Sequence, residues 1–200
     1  RLEELDDEIQ ALGGSATLTP MDLTKGDDID RLGAAIHERW GHLDILIGNA
    51  GDLGALSPLP HTDPDDWDKV MAINLTANWR LIRSLDPLLR AADNAHVVFL
   101  TSSVGHQPRA YWSAYAVSKA GLEMLANIYA AETRKSGMKV NLLNPGGTRT
   151  AMRAKAMPGE DPDTLPSPDD IAPLILEMVS PEFEQTGALI NYRDWVNETA

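Results

Sequence analysis

Apolar positions along the chain recur at two spacings, one near 3.6 residues and one continuous. Leu2, Leu5, Ile9 and Leu12 share one helical face, and Gly13-Gly14 supplies a stop. "SATLTPMDL" reads as a short strand ending near Asp22. In "DDIDRLGAAIHERWG", Ile29, Leu32, Ile36 and Trp40 fall at helical spacing, with acids in the first turn and Gly41 beyond the last. "LDILIGNAG" is an almost unbroken apolar run, which suits a strand buried on both faces of a parallel sheet. After a loop rich in Pro, Gly and Ser, "DPDDWDKVMAINLTANWRLIRSLDPLL" predicts a long helix that Pro87 kinks or ends early. "HVVFLTSS" is a further strand, "SAYAVSKAGLEMLANIYAAETRKSG" a helix closing at Gly137, and "KVNLLNPGGTRT" a strand and turn. Residues 148–168 hold five prolines or glycines and read as a loop or lid. "SPDDIAPLILEMVS" opens on a cap and acids, as a helix does, and "GALINY" is a last short strand. Helix and strand alternate throughout. That order predicts one α/β layered domain around a mostly parallel sheet.

In such sheets ligands bind beyond the carboxyl ends of the strands. Those ends carry Asp22, then Asn49-Ala50-Gly51, then Ser102-Ser103, then Pro145-Gly146-Gly147-Thr148. Small and turn-forming residues there let a backbone approach a flat or anionic ligand. Each group taken singly is equally an ordinary turn.

Composition narrows the picture. Two hundred residues, 43% hydrophobic and 24% charged, suit a single globular domain with a sizeable core. A net charge of −13 argues against nucleic acid or a membrane surface as the main partner, and the sequence shows no basic stripe. The absence of cysteine rules out a disulfide scaffold, a thiol nucleophile and a Cys-based metal site, and is compatible with a reducing cytoplasm. The chain opens on Arg1, inside a helical pattern, which points to a longer parent sequence.

Tyr115 and Lys119, in "YAVSK", stand at i and i+4, on one helix face about a turn apart. A free phenol, with a pKa of about 10, is a poor acid–base group at neutral pH. A neighbouring ammonium favours the phenolate, after which the tyrosine can exchange a proton with a substrate oxygen. Ser102 or Ser103, at a strand end upstream, could hold that oxygen. The pair alone reads equally as a solvated helix face.

Four motifs in order decide between those readings. "GNAG" at 48–51, Asn74, "TSSVGHQPRAYWSAYAVSKAG" and "NPGGTRTAM" together resemble the short-chain dehydrogenases/reductases, across essentially the whole chain. The resemblance implies a three-layer αβα Rossmann-type doubly wound parallel sheet and hydride transfer between NAD or NADP and a small carbonyl or secondary alcohol. By the resemblance, Tyr115 is the general acid/base, Lys119 tunes it and bonds the nicotinamide ribose, Ser102 (with Ser103 as a near alternative) orients the substrate, and Asn74 holds a water in a proton relay. Asn49, Ala50, Gly51, Pro145, Gly146, Thr148 and Thr150 are implied cofactor contacts, with Asp22 near the adenine. A homodimer or homotetramer is implied, built on the helices around Asn74 and from Ser113 to Ser136, where Ala120, Gly121 and Ala126 would permit close approach.

Two departures stand out. The family's usual Asn before Asn-Ala-Gly is Gly48 here, and the glycine-rich phosphate loop is missing. In the usual strand order 3-2-1-4-5-6, "ATLTPM" would be strand three and "LDILIG" strand four, with the two strands between them absent. Strand three would then lack a neighbour, at about 1–3 kcal/mol for each buried unpaired backbone group. This predicts roughly forty or more residues ahead of Arg1, the size of a βαβ unit, and no direct pairing of the two segments.

Other candidates have plainer readings. Asp63, Asp65, Asp66 and Asp68 read as the capped, charged start of a helix rather than a metal site, and no histidines stand at ligand spacing. His106 reads as a surface loop residue. Met152 and Met157 either line an apolar substrate pocket or pack, and Trp112 either shapes that pocket or covers the helix start. The rival functional classes are a non-catalytic dinucleotide-binding regulator on the same fold, and an inert fragment of such an enzyme.

Overall fold

Four strands, β1 (Ile45–Gly48), β2 (His96–Leu100), β3 (Lys139–Asn144) and β4 (Leu189–Asn191), pair in parallel in the order β1-β2-β3-β4 in a computed structural model that describes residues 2–199. Register runs Ile45 to His96, Val97 to Val140 and Leu142 to Leu189. The helices are α1 (Leu2–Ala11), α2 (Gly26–Trp40), α3 (Pro64–Met71), α4 (Ala77–Ala91), α5 (Ser113–Thr133), α6 (Ala151–Ala156), α7 (Pro168–Met178) and α8 (Tyr192–Thr199).

Alternation along the strands builds the layers. Val97 and Phe99 of β2, with Leu46, Val140 and Leu142, pack against Leu85, Leu88 and Leu89 of α4 and Leu122, Ala126 and Tyr129 of α5. Val98 and Leu143 point to the opposite face and meet Ile171, Leu174 and Met178 of α7. The result is helices, sheet, helices, with β2 and β3 in the dry centre, as the near-continuous apolar runs require. The Tyr129 hydroxyl donates to Asp86 Oδ1 at 2.9 Å, and Arg90 clasps the same carboxylate, tying α5 to α4.

Most predicted elements form, and the exceptions have reasons. The strand expected over "SATLTPMDL" is not made. Residues 15–22 join no ladder and do not pair with β1. An isolated strand satisfies none of its backbone groups, so the segment stays irregular and largely exposed. For the same reason β1 is an edge strand buried on one face rather than two, with Ile45 and Ile47 each 41% exposed. The amphipathic pattern of α1 forms its helix but buries none of it; Leu12 is 90% exposed. Pro87 does not end its helix, which continues to Ala91. The long helical run breaks instead at residues 72–76, a π-helical turn containing Asn74, a feature that recurs at functional sites. Helix α5 ends at Thr133, short of Gly137. The 148–168 segment, expected as loop or lid, contains α6, because "AMRAKA" is rich in helix formers and Thr150 caps it by accepting from the Arg153 amide. The C-terminal α8 was not legible as a separate element. Asp63 caps α3 by accepting from the amides of Asp65 and Asp66, the role read for that acidic run.

His96 opens β2 and is almost fully buried, and neither ring nitrogen has a well-formed hydrogen bond among the described residues. Burial depresses its pKa; the Met178 backbone is the main opposition, Lys139 adds to the depression, and Glu184 opposes it more weakly. Below about pH 6.5 the unfolded chain therefore binds a proton that the folded chain resists, and stability falls with acidification. The melting temperature should drop between about pH 7 and pH 5, less steeply in His96→Leu than in the parent protein. Equal slopes in calorimetric scans would refute the assignment.

Candidate active site

The carboxyl ends of β1, β2 and β3 open into one cleft of about 550 Å³. Asn49, Ala50 and Gly51 enter it from the turn after β1, Thr101 and Ser102 from the end of β2, and Pro145, Gly146, Thr148 and Thr150 from the turn after β3. Tyr115 and Lys119 enter from the first two turns of α5, and Met152, Arg153 and Ala156 from α6. Stretches remote in sequence thus meet at one cleft.

The solvated-face reading of Tyr115 and Lys119 is excluded, because both are buried. Lys119 is 3% exposed, and its Nζ donates to the Leu100 carbonyl at 2.7 Å and lies 5.7 Å from the centroid of the Tyr115 ring. Burial brings the Lys119 pKa down to about 8, with the Glu123 carboxylate opposing. The expectation that this ammonium lowers the Tyr115 pKa is corrected: burial raises it, and the opposing influence is the Ser102 hydroxyl. Lys119 directs its charge at the Leu100 carbonyl, not at the phenol oxygen. Ser102, and not Ser103, lines the cleft; Ser103 turns outward into a short 3₁₀ segment, Ser103–Gly105.

Trp112 stacks edge-on against Tyr115, with centroids 5.9 Å apart, and lines the cleft, so it both shapes the pocket and covers the helix start. Tyr111, just before it, adopts φ 75°, a left-handed conformation that costs a non-glycine residue on the order of 1–3 kcal/mol. Of the two methionines, Met152 lines the cleft, whereas Met157 packs in the apolar cluster around Tyr115.

Asn74 and Asp22 are not brought to the cleft wall. Asn74 is fully buried. Its Oδ1 accepts from the Asp52 amide, and its Nδ2 donates to the Asp52 carbonyl and to Ser118 Oγ. Both amide hydrogens are committed, and the side chain clamps the turn after β1 to α5. Asp22 is exposed and accepts from the amide and hydroxyl of Thr24. Its neighbour Leu23 borders a smaller apolar hollow that shares Asn49 and Ala50 with the main cleft. Sequence reasoning missed Thr101, Arg153 and the Leu100 carbonyl. Arg153 directly follows the NPGGTRTAM run, but its pairing with Glu160 at 2.6 Å needed the fold.

Among the described residues the cleft wall carries two charged side chains, Lys119 and Arg153, both cationic, and no carboxylate, in a chain of net charge −13. A family model described as short chain dehydrogenase matches residues 1–161. An Escherichia coli oxidoreductase, YciK, is 43% identical over 150 residues, covering 75% of this chain and 59% of its own.

The chain belongs to the short-chain dehydrogenase family.

Solved structures agree. A short-chain dehydrogenase from Shigella flexneri complexed with NADP matches with a TM-score of 0.91 and 37% identity, over 96% of this chain and 82% of that one. One from Escherichia coli complexed with NADPH matches with a TM-score of 0.91 and 37% identity, over 96% and 81%. The chain spans about three fifths of the length of the curated relatives it matches. The parallel strands between two helical layers are the Rossmann-type sheet of a short-chain dehydrogenase. Gly48, where such dehydrogenases usually carry Asn, has a steric cause here. A Cβ at that position would stand 2.4 Å from Phe99 Cδ1 and 2.5 Å from Asn78 Oδ1.

Proposed function

We propose that the protein is an NAD(P)-dependent oxidoreductase that interconverts a small carbonyl compound and its alcohol. The observation that carries this reading is the convergence of Tyr115, Ser102 and Lys119 in one cleft at the strand ends. When bound, the nicotinamide supplies or accepts the hydride. The residues present suit such a dinucleotide. Asn49, Ala50, Gly51, Pro145, Gly146, Thr148 and Thr150 offer small side chains, hydroxyls and backbone at the wall, and the charged side chains among its described residues, Lys119 and Arg153, are cationic. Asp22 would reach only an adenine lying over the neighbouring hollow. The relatives solved with NADP and NADPH make the phosphorylated nucleotide the first to test.

In this mechanism the Ser102 hydroxyl donates to the substrate oxygen and fixes it beside Tyr115. The Tyr115 phenol, held above its ordinary pKa by burial, keeps its proton at neutral pH and can pass it to a carbonyl oxygen that Ser102 holds beside it. Lys119 contributes a buried positive charge beside the Tyr115 ring, held by the Leu100 carbonyl, and Asn74 holds the Gly51–Asp52 turn in place. Any water relay through Asn74 would have to use its remaining Oδ1 lone pair. Leu53, Trp112, Met152 and Ala156 form the apolar side of the pocket and favour a substrate with a nonpolar body.

Assembly into a dimer or tetramer belongs to the same proposal. Gly121 and Ala126 face inward, against Leu75 and the core, but Val117, Ala120, Met124 and Ile128 form an exposed stripe along α5, with Trp79 exposed on α4. Among the described residues no helix is long and apolar enough to cross a membrane, and a cytoplasmic site of action is proposed with the redox reading. Isothermal titration with NADPH and NADH tests the whole: at least one should bind, and carbonyl compounds should then speed loss of the reduced-nicotinamide absorbance. Binding of neither nucleotide would overturn it.

A further inference from the structure

Glu123 lies one turn beyond Lys119 on α5, as Lys119 lies one turn beyond Tyr115, and the proposed chemistry gives it no task. It is nevertheless placed with care. Its side chain is 14% exposed, and its Oε1 accepts from Thr101 Oγ1 at 2.7 Å and stands 3.0 Å from His106 Nδ1. Thr101 lies on the cleft wall at the end of β2. The residue before it supplies the carbonyl that holds Lys119, and the residue after it is Ser102. The turn that follows closes through the Gly105 amide onto the Ser102 carbonyl, at 2.8 Å. This turn lies so close to α5 that a Cβ at Gly105 would stand 2.7 Å from Glu123 Oε1 and 3.2 Å from the carbonyl carbon of Lys119. A carboxylate at this junction touches both segments that carry the site.

We propose that Glu123 is a positioning residue of the cleft: gripped by Thr101 and His106, its carboxylate ties α5 to the end of β2 and keeps the Lys119 ammonium in place against the Leu100 carbonyl. The inference rests on the redox reading only for its consequence, because the contacts are made among the chain's own side chains. The groups facing Lys119 can be named. Tyr115 and Glu123 come from its own helix. The Leu100 carbonyl comes from β2, and His106 reaches Glu123 from the loop after β2. Among the described residues Glu123 is the carboxylate that acts on Lys119, and it opposes the burial that would strip its proton. A buried ammonium without that partner titrates lower.

Lysine labelled with carbon-13 at Cε lets the Lys119 titration be read by nuclear magnetic resonance in the nucleotide-free protein, with Lys119→Met assigning the signal. The parent midpoint should lie near 8. Glu123→Gln, which keeps the shape and an acceptor for Thr101 but removes the charge, should move it down. Glu123→Asp should restore part of the difference. Thr101→Val, which frees the carboxylate from β2 while keeping its charge, should shift the midpoint less than Glu123→Gln does. An unchanged midpoint in a folded Glu123→Gln protein overturns the proposal, as does a folded Thr101→Val protein whose midpoint matches the parent's. Because no nucleotide or substrate is present, a failure here leaves the redox reading to its own titration, and failure of that titration leaves this result standing.

Discussion

Tyr115→Phe should reduce turnover by about 10²- to 10⁴-fold, the range that one positioned acid–base group contributes, while nucleotide affinity stays nearly unchanged. The substitution removes a single oxygen. The ring keeps its edge-on contact with Trp112 and its place in the apolar cluster with Leu53, Val104 and Ala156, so the fold and the cleft wall survive. Only the proton donor beside Ser102 is lost. Steady-state kinetics paired with calorimetric titration separates the two effects. A parallel loss of turnover and nucleotide binding would mean that the phenol supports the cleft rather than the chemistry. Turnover close to that of the parent would remove Tyr115 from the mechanism.

Phe99→Ala should cost about 3–5 kcal/mol of folding stability, the largest single loss expected in the molecule. Phe99 is fully buried in β2, where the sheet meets α4 and α5, and its removal leaves a cavity that the strand cannot close. Its ring also explains Gly48, since the space for a side chain on β1 is already taken by Phe99 Cδ1. Gly48→Ala alone should therefore cost about 1–3 kcal/mol through overpacking. Made in the Phe99→Ala protein it should cost less, because part of the clash has gone. Asn78 Oδ1 remains close to the new methyl, so the cost should not vanish. Denaturant titrations of the four proteins in this cycle give the coupling directly, and strictly additive losses would refute the shared contact.

Gly48 also marks a boundary between levels of description. Along the chain it is simply a missing family asparagine, and its cause, an aromatic ring on the neighbouring strand, is fifty-one positions away. Asn74 is similar. Its motif could be recognised, but the two hydrogens it spends on the Asp52 carbonyl and Ser118 depend on a π-helical turn that no local pattern announces. Asp22 shows the reverse failure. A position at an expected strand end lost its meaning when the strand did not form.

The sequence by itself determined what depends on near neighbours: the alternation of helix and strand, the strand ends where a ligand would sit, the caps of α3 and α7, and the i, i+4 pairing of Tyr115 with Lys119. These follow from periodicity and turn chemistry, which act over a few residues. The tertiary structure alone decided what depends on surroundings. It buried Lys119 against the Leu100 carbonyl, raised the Tyr115 pKa where a nearby ammonium lowers it in the sequence reading, put Ser102 rather than Ser103 on the cleft wall, and set Glu123 at the junction of β2 and α5. Burial and the direction in which a charge points are properties of the packed molecule, and no spacing along a chain encodes them.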